Sequence, residues 1–129
     1  MPTWKSFEEI KVWQLAREFC KNIYAIIQYN GLSTDFALKD QINRSSGSIM
    51  DNIAEGFGRG GTKEFINFLG IAKGSTTESR SQINRIFDRN YISETEYKNL
   101  CNKTIEIENK IGGLIAYLKK SNYKGIKYK

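Results

Sequence analysis

A chain of 129 residues, 40% apolar, carries 20 Lys and Arg against 14 Asp and Glu, a net charge of +6; one domain with its own core is expected. There is no histidine, and Cys20 and Cys101 share no ligand spacing, which argues against zinc, other transition metals and any cofactor and points to two buried, reduced thiols. No run of about 18 apolar residues is present to span a membrane, and charges interrupt the first apolar stretch where a signal peptide needs continuity, so a cytoplasmic protein is expected.

The elements read in order as four helices. Ser6-Phe7-Glu8-Glu9 has the form of a capping box, predicting a helix over about 7–29. Val12, Ala16, Phe19, Ile23, Ile26 and Ile27 recur at three- and four-residue steps along it. Asn30-Gly31 supplies the stop, since both tolerate the left-handed conformation. Ser33 or Thr34 is expected to cap a second helix over 34–57, with Leu38, Ile42, Ile49, Ile53 and Phe57 as its apolar line. Thr62 is expected to cap a third over 62–89, with Glu64 in its first turn at the positive dipole end. Ser93-Glu94-Thr95-Glu96 is a second capping box, opening a helix over 93–121.

At about 1.5 Å per residue each helix spans roughly 33 to 43 Å. Long helices and short connections predict an all-α, antiparallel up-down-up-down four-helix bundle. It occupies residues 1–121, with a basic tail over 122–129. Gly112-Gly113 interrupts the fourth helix at a cost of roughly 1 kcal/mol per glycine, which suggests close packing or a local bend.

The most particular stretch is Asn52-Ile53-Ala54-Glu55-Gly56-Phe57-Gly58-Arg59-Gly60-Gly61. Asn52 and Glu55 lie about 60° apart, and Glu55 and Arg59 about 40° apart, at 3.6 residues per turn. They flank the apolar stripe, where partly buried polar groups need partners. On the third helix Asn67, Gly70, Gly74, Glu78 and Ser81 form a small-residue side that predicts tight packing against another helix. Glu78 is expected to meet a cation such as Arg59 or Arg80. Asn52, Glu55, Gly56, Gly74 and Glu78 are therefore read as a structural or subunit-contact motif.

Charge is unevenly placed. Residues 1–60 carry seven basic and seven acidic residues, whereas 61–129 carry thirteen and seven. Five lysines and no acid fall within residues 119–129. Such an excess fits either a solubilising terminus or an arm for phosphate backbones. The glycine-rich, basic run from Gly58 to Lys63, just before a helix start, suits an anion but lacks P-loop spacing. Candidate phosphate contacts are Arg44, Arg59, Lys63, Lys73, Arg80, Arg85, Lys119, Lys120, Lys124 and Lys127. No catalytic residue is assigned, because Glu55 has no second carboxylate, His or Cys placed with it.

These residues also carry a resemblance. Lys11-Val12-Trp13-Gln14-Leu15-Ala16, Gln41-Ile42 with Arg44, Ser48-Ile49, Asn52-Ile53-Ala54-Glu55-Gly56 with Arg59, Lys63-Glu64-Phe65, Phe68-Leu69, Ile71-Ala72, Gly74-Ser75 and Glu78 stand in one order over nearly the whole chain. The pattern resembles the bacterial four helix bundle protein family, the 23S rRNA intervening-sequence proteins, sometimes labelled ribosomal proteins. Ser45-Ser46-Gly47 departs from a more alanine-rich stretch, Thr76-Thr77-Glu78-Ser79-Arg80 is more polar than usual, and the tail is longer and richer in lysine. The resemblance implies a four-helix bundle, often a homopentameric barrel. It also implies kinship with the accessory variability determinant of diversity-generating retroelements, which partners a reverse transcriptase and binds nucleic acid.

Three functions follow as expectations. The first is a non-enzymatic homo-oligomer, a pentamer by resemblance, presenting basic surfaces to RNA or DNA. The second is a scaffold or accessory subunit anchored through Trp4, Phe7 and Trp13, with a protein partner such as a reverse transcriptase. The third is a small hydrolase using Glu55.

Overall fold

The computed structural model describes residues 4–123. Four helices follow one another: α1 (Lys11–Ile26), α2 (Phe36–Gly58), α3 (Thr62–Asp88) and α4 (Glu94–Tyr123). They form the expected antiparallel bundle. Phe19, Ile23, Leu38, Ile42, Ile49, Ile53, Phe65, Leu69, Ile83, Ile86 and Ile111 are each at most 1% exposed and form its axis. α2 and α3 share the most extensive seam, and α1 and α4 the thinnest.

The helix ends show which capping signals acted. Ser93 and Glu96 form the predicted box: Glu96 N–H donates to Ser93 Oγ at 3.1 Å, and Ser93 N–H to Glu96 Oε1 at 2.8 Å. The box at Ser6 does not form. Glu9 Oε1 instead accepts from Lys5 N–H at 3.2 Å, and Phe7–Glu9 is a single 3-10 turn. α1 is therefore shorter than the predicted 7–29, starting at Lys11 and ending at Ile26.

α2 is capped by Asp35, whose Oδ1 accepts from Leu38 N–H, and not by Ser33 or Thr34, which lie in a 3-10 turn before it. Thr62 is the first residue of α3, following an N-cap at Gly61. It is 3% exposed, and its Oγ1 finds no partner among the described residues. α4 runs to Tyr123, past the predicted boundary of the tail.

Two loops are tied together at one end of the bundle. Gly31 has a φ of +94°, and a Cβ there would stand 2.7 Å from the Tyr91 ring. Tyr91 OH donates to Asp35 Oδ2 at 2.9 Å, and Arg89 Nη1 donates to the same oxygen at 2.5 Å. Nearby, Tyr29 OH donates to Glu96 Oε2 at 2.6 Å. Arg89 and then Tyr91 hold the Asp35 carboxyl below the ordinary range. The Ser93 N–H and then Tyr29 do the same for Glu96. A carboxyl whose folded pKa is depressed stabilises the fold above its unfolded pKa, and that contribution is lost as pH falls through the folded value. The urea midpoint is expected to hold steady above the ordinary carboxylate range and to fall below it, with a shallower fall in Asp35→Asn.

Candidate functional site

The Asn52–Arg59 stretch is a joint between helices. Asn52 Nδ2 donates to Ser48 O at 2.8 Å and to Ser48 Oγ at 2.9 Å. The Ser48 and Ser75 hydroxyls meet at 2.9 Å across the α2–α3 seam. One turn deeper, Ser79 Oγ donates to Ser45 Oγ at 2.8 Å, and Ser45 Oγ donates to Gln82 Oε1 at 2.6 Å. The small hydroxyls let the two helices approach closely while satisfying one another. The departures Ser45 and Ser79 from the family pattern are thus members of one buried network.

Gly56 is the tight point. A Cβ there would stand 2.6 Å from Phe68 Cβ and 3.1 Å from Phe65 Cδ1. Gly70 and Gly74 behave differently: nothing described lies within 4 Å of a Cβ added at either. The small-residue side of α3 is therefore not packed inside this chain, contrary to expectation, because it faces outward. Ile71 between them is 52% exposed. Gly112 and Gly113 likewise have no close neighbour, and α4 passes through them as one helix.

The predicted pairing of Glu78 with Arg59 or Arg80 does not occur. Arg59 Nη2 bonds Glu55 Oε2 at 2.7 Å one helical turn away, and its guanidinium lies 5.0 Å over the Phe68 ring. Arg80 crosses to α4, where Nη2 meets Glu108 Oε1 at 3.0 Å and Nη1 meets Thr104 Oγ1 at 3.2 Å. Thr77 also donates to Glu108. These contacts, Thr77 first, hold the Glu108 carboxyl below its ordinary range. Glu78 Oε2 instead accepts from Gln82 Nε2 at 3.4 Å.

The candidate phosphate contacts divide by helix and by partner. Each arginine has a partner within the chain: Arg44 with Asp40, Arg59 with Glu55, Arg80 with Glu108, and Arg85 with Gln41. Lys73 is exposed within electrostatic reach of Glu108. Lys63, Lys119 and Lys120 are exposed, and their ammonium groups make no ion pair or hydrogen bond to another described residue. Lys63 lies in the first turn of α3, and Lys119 and Lys120 lie near the end of α4. Antiparallel packing therefore brings those three to one end of the bundle. Lys124 and Lys127 lie outside the described residues. At the α3 start, Glu64 folds its carboxylate back over Gly61, into the space a side chain there would take. The suggested anion nest thus already holds an acid of its own.

The aromatic anchors are also redistributed. Trp13 is 7% exposed, with Phe7 packed edge-on against it at 5.0 Å. Trp4 packs edge-on against Phe57 and Phe65 at 6.3 and 6.4 Å. Among the described residues the most exposed aromatics are Tyr24 and Phe36, at 67% and 73%. Helical spacing sets Tyr24 beside the apolar face of the first helix, yet it is left uncovered, because exposure on a helix face depends on what the neighbouring helix covers; Phe36 carried no signal.

The two thiols are half-buried, less enclosed than predicted. Burial pushes the Cys20 thiol up to about 11, against the opposing effect of its bond to Ser46 O. It stays protonated near neutral pH, which leaves little thiolate to act as a nucleophile there. No group of three His, Cys, Asp or Glu side chains that could hold a metal occurs among the described residues. No helix among them is long and apolar enough to cross a membrane.

The thin α1–α4 seam opens into two clefts. One, of about 460 Å³, is lined by Asn22, Tyr29, Asn99, Asn102 and Lys103. The other, of about 600 Å³, is lined by Trp4, Lys11, Asn109, Lys110 and Gly113 among others. Lys11 lay within a recognised motif; Asn109 and Lys110 carried no signal, since only the packing of α1 on α4 brings them together.

A four-helix bundle with a polar joint at the end of its second helix defines the class of protein. The family model of the 23S rRNA-intervening sequence protein matches residues 8–113, and the chain belongs to that family. It is also similar to the crystal structure of a protein of unknown function from the S23 ribosomal protein family of Bacteroides thetaiotaomicron. That match has a TM-score of 0.73 and 27% identity, and covers 81% of this chain and 97% of that one. No curated protein matches the chain.

Proposed function

We propose that this protein is a non-enzymatic homo-oligomer that binds nucleic acid through lysines gathered at one end of the bundle. The observation that carries the reading is the contrast between Lys63, Lys119 and Lys120, free of partners among the described residues, and the four candidate arginines, each paired within the chain. Free ammonium groups displace the counterions condensed on phosphates without first breaking an ion pair. Self-association, with the pentamer favoured by resemblance, is supported by the outward Gly70–Gly74 side with Ile71 exposed. A ring multiplies weak sites through avidity. Glu55, the one residue weighed for catalysis, is engaged by Arg59.

Binding to RNA or DNA is expected to weaken linearly in log–log form with salt. Lys63→Gln, Lys119→Gln and Lys120→Gln together are expected to reduce that slope, by about 0.9 for each phosphate left without its lysine on duplex DNA. A salt-independent affinity rules out the reading. Solution mass is expected to show an oligomer, and a monomer at working concentrations removes the self-association part.

The second reading, an accessory subunit recognising a protein, is supported by exposed Tyr24 and Phe36, since aromatics are enriched at interfaces. Co-purification that survives nuclease treatment and is abolished by Tyr24→Ala and Phe36→Ala distinguishes it.

A further inference from the structure

We propose that the cleft beside Trp4 is a receptor for an unpaired base of a single-stranded nucleic acid; this rests on the nucleic-acid reading above and deepens it. The cleft, of about 600 Å³, lies within the size range of pockets that take small organic groups. Its wall holds Trp4, set in place by edge contacts to Phe57 and Phe65. An aromatic fixed in this way offers stacking surface to a base with little side-chain entropy left to lose.

The two lips come from different helices and are both basic, with Lys11 at the start of α1 and Lys110 on α4. Two cations lining a cleft that also holds an aromatic wall match a nucleotide, whose base is apolar on its faces and whose phosphates are anionic. Asn109 adds an amide that both donates and accepts toward a base edge. Gly113 contributes no side chain, so the α4 side of the cleft stays open. The acid among the lining residues, Glu9, has a carboxylate oxygen engaged by the Lys5 N–H.

The position suits the same conclusion. Trp4 packs on Phe65, in the first turn of α3 beside Lys63. Lys119 and Lys120 continue along α4 beyond Gly113. A strand held by those lysines passes the mouth of the cleft. A duplex keeps its bases stacked and paired, and presents only phosphates there.

The test uses the full chain at low salt with a labelled oligouridylate and, separately, a duplex of equal length. Anisotropy reads binding, and tryptophan fluorescence reads the cleft, because Trp13 is 7% exposed and packed inside. The single strand is expected to quench the emission and the duplex to leave it unchanged. Trp4→Leu is expected to weaken single-strand binding about tenfold, the scale of removing one base–aromatic stack. Asn109→Ala with Lys110→Gln, on the exposed face of α4 where folding does not depend on them, is expected to weaken it in the same direction. Single strands that bind without quenching and with equal affinity to both variants overturn the cleft and leave the proposed function standing. No binding of either strand form overturns both.

Discussion

Gly56→Ala is expected to destabilise the bundle by roughly 1–3 kcal/mol, the cost of overpacking a well-filled contact. The sign is unusual, since alanine normally improves a helix interior by about 1 kcal/mol over glycine. Here the new methyl would stand 2.6 Å from Phe68 Cβ, an atom fixed to the α3 backbone, with Phe65 Cδ1 at 3.1 Å. Neither can swing away without moving α3, and Phe65 is itself pinned between Phe57 and Trp4. Gly112→Ala is the matched control. It too is helical, but nothing lies within 4 Å of the added carbon, so a gain of up to about 1 kcal/mol is expected. Urea unfolding of the two variants reads the difference directly, and a Gly56→Ala protein as stable as the parent contradicts the close approach.

The second large effect concerns the buried hydroxyl network. Gln82→Ala is expected to cost roughly 2–4 kcal/mol, from a cavity plus the missing acceptor for Ser45. Gln82 is 5% exposed, and its Oε1 takes the Ser45 hydroxyl at 2.6 Å. The Ser45–Ser79 hydroxyl pair, 2.8 Å apart, then loses its terminal acceptor, and Ile42 O at 3.4 Å is a long substitute. The combined variant Ser45→Ala, Ser79→Ala and Gln82→Leu is expected to recover most of the loss. Removing every partner of a buried network leaves no group desolvated without a bond. Chemical denaturation of the single and combined variants tests this. If the combined variant is no better than Gln82→Ala, the cost lies in packing and not in the unmet hydrogen bond.

Both effects bear on function through the same joint. The α2–α3 seam holds Asn52, Ser48 and Ser75 in register and sets where Arg59 and Lys63 emerge at the bundle end. A shift of α3 against α2 displaces those cations relative to Lys119 and Lys120, so overpacking at Gly56 is felt at the proposed binding end.

The helical content and the bundle class were legible in the sequence because both depend on local periodicity. Val12 to Ile27 and Leu38 to Phe57 repeat at helical steps, and most of those side chains are buried. Ser93 and Glu96 were legible for the same reason, being three residues apart. Ser6 and Glu9 have the same spacing and failed, since Glu9 turned to Lys5 N–H in a 3-10 turn. The ion pairs were not legible. Arg80 lies 28 residues from Glu108, and Arg89 54 residues from Asp35. Partners so far apart in the chain meet only when two helices are placed side by side.

The glycines mark the division most clearly. The sequence by itself determined four amphipathic helices, their order, the family and the net charge, all of which follow from residue type and spacing. It could not tell Gly56, pressed against Phe68, from Gly74, which faces outward with nothing near it. Nor could it distinguish the paired arginines from the free lysines, or bring Lys11 and Lys110 to the two lips of one cleft. Those outcomes belong to the tertiary structure. Helical periodicity decides which way a side chain points, whereas the neighbour it meets depends on how the helices pack.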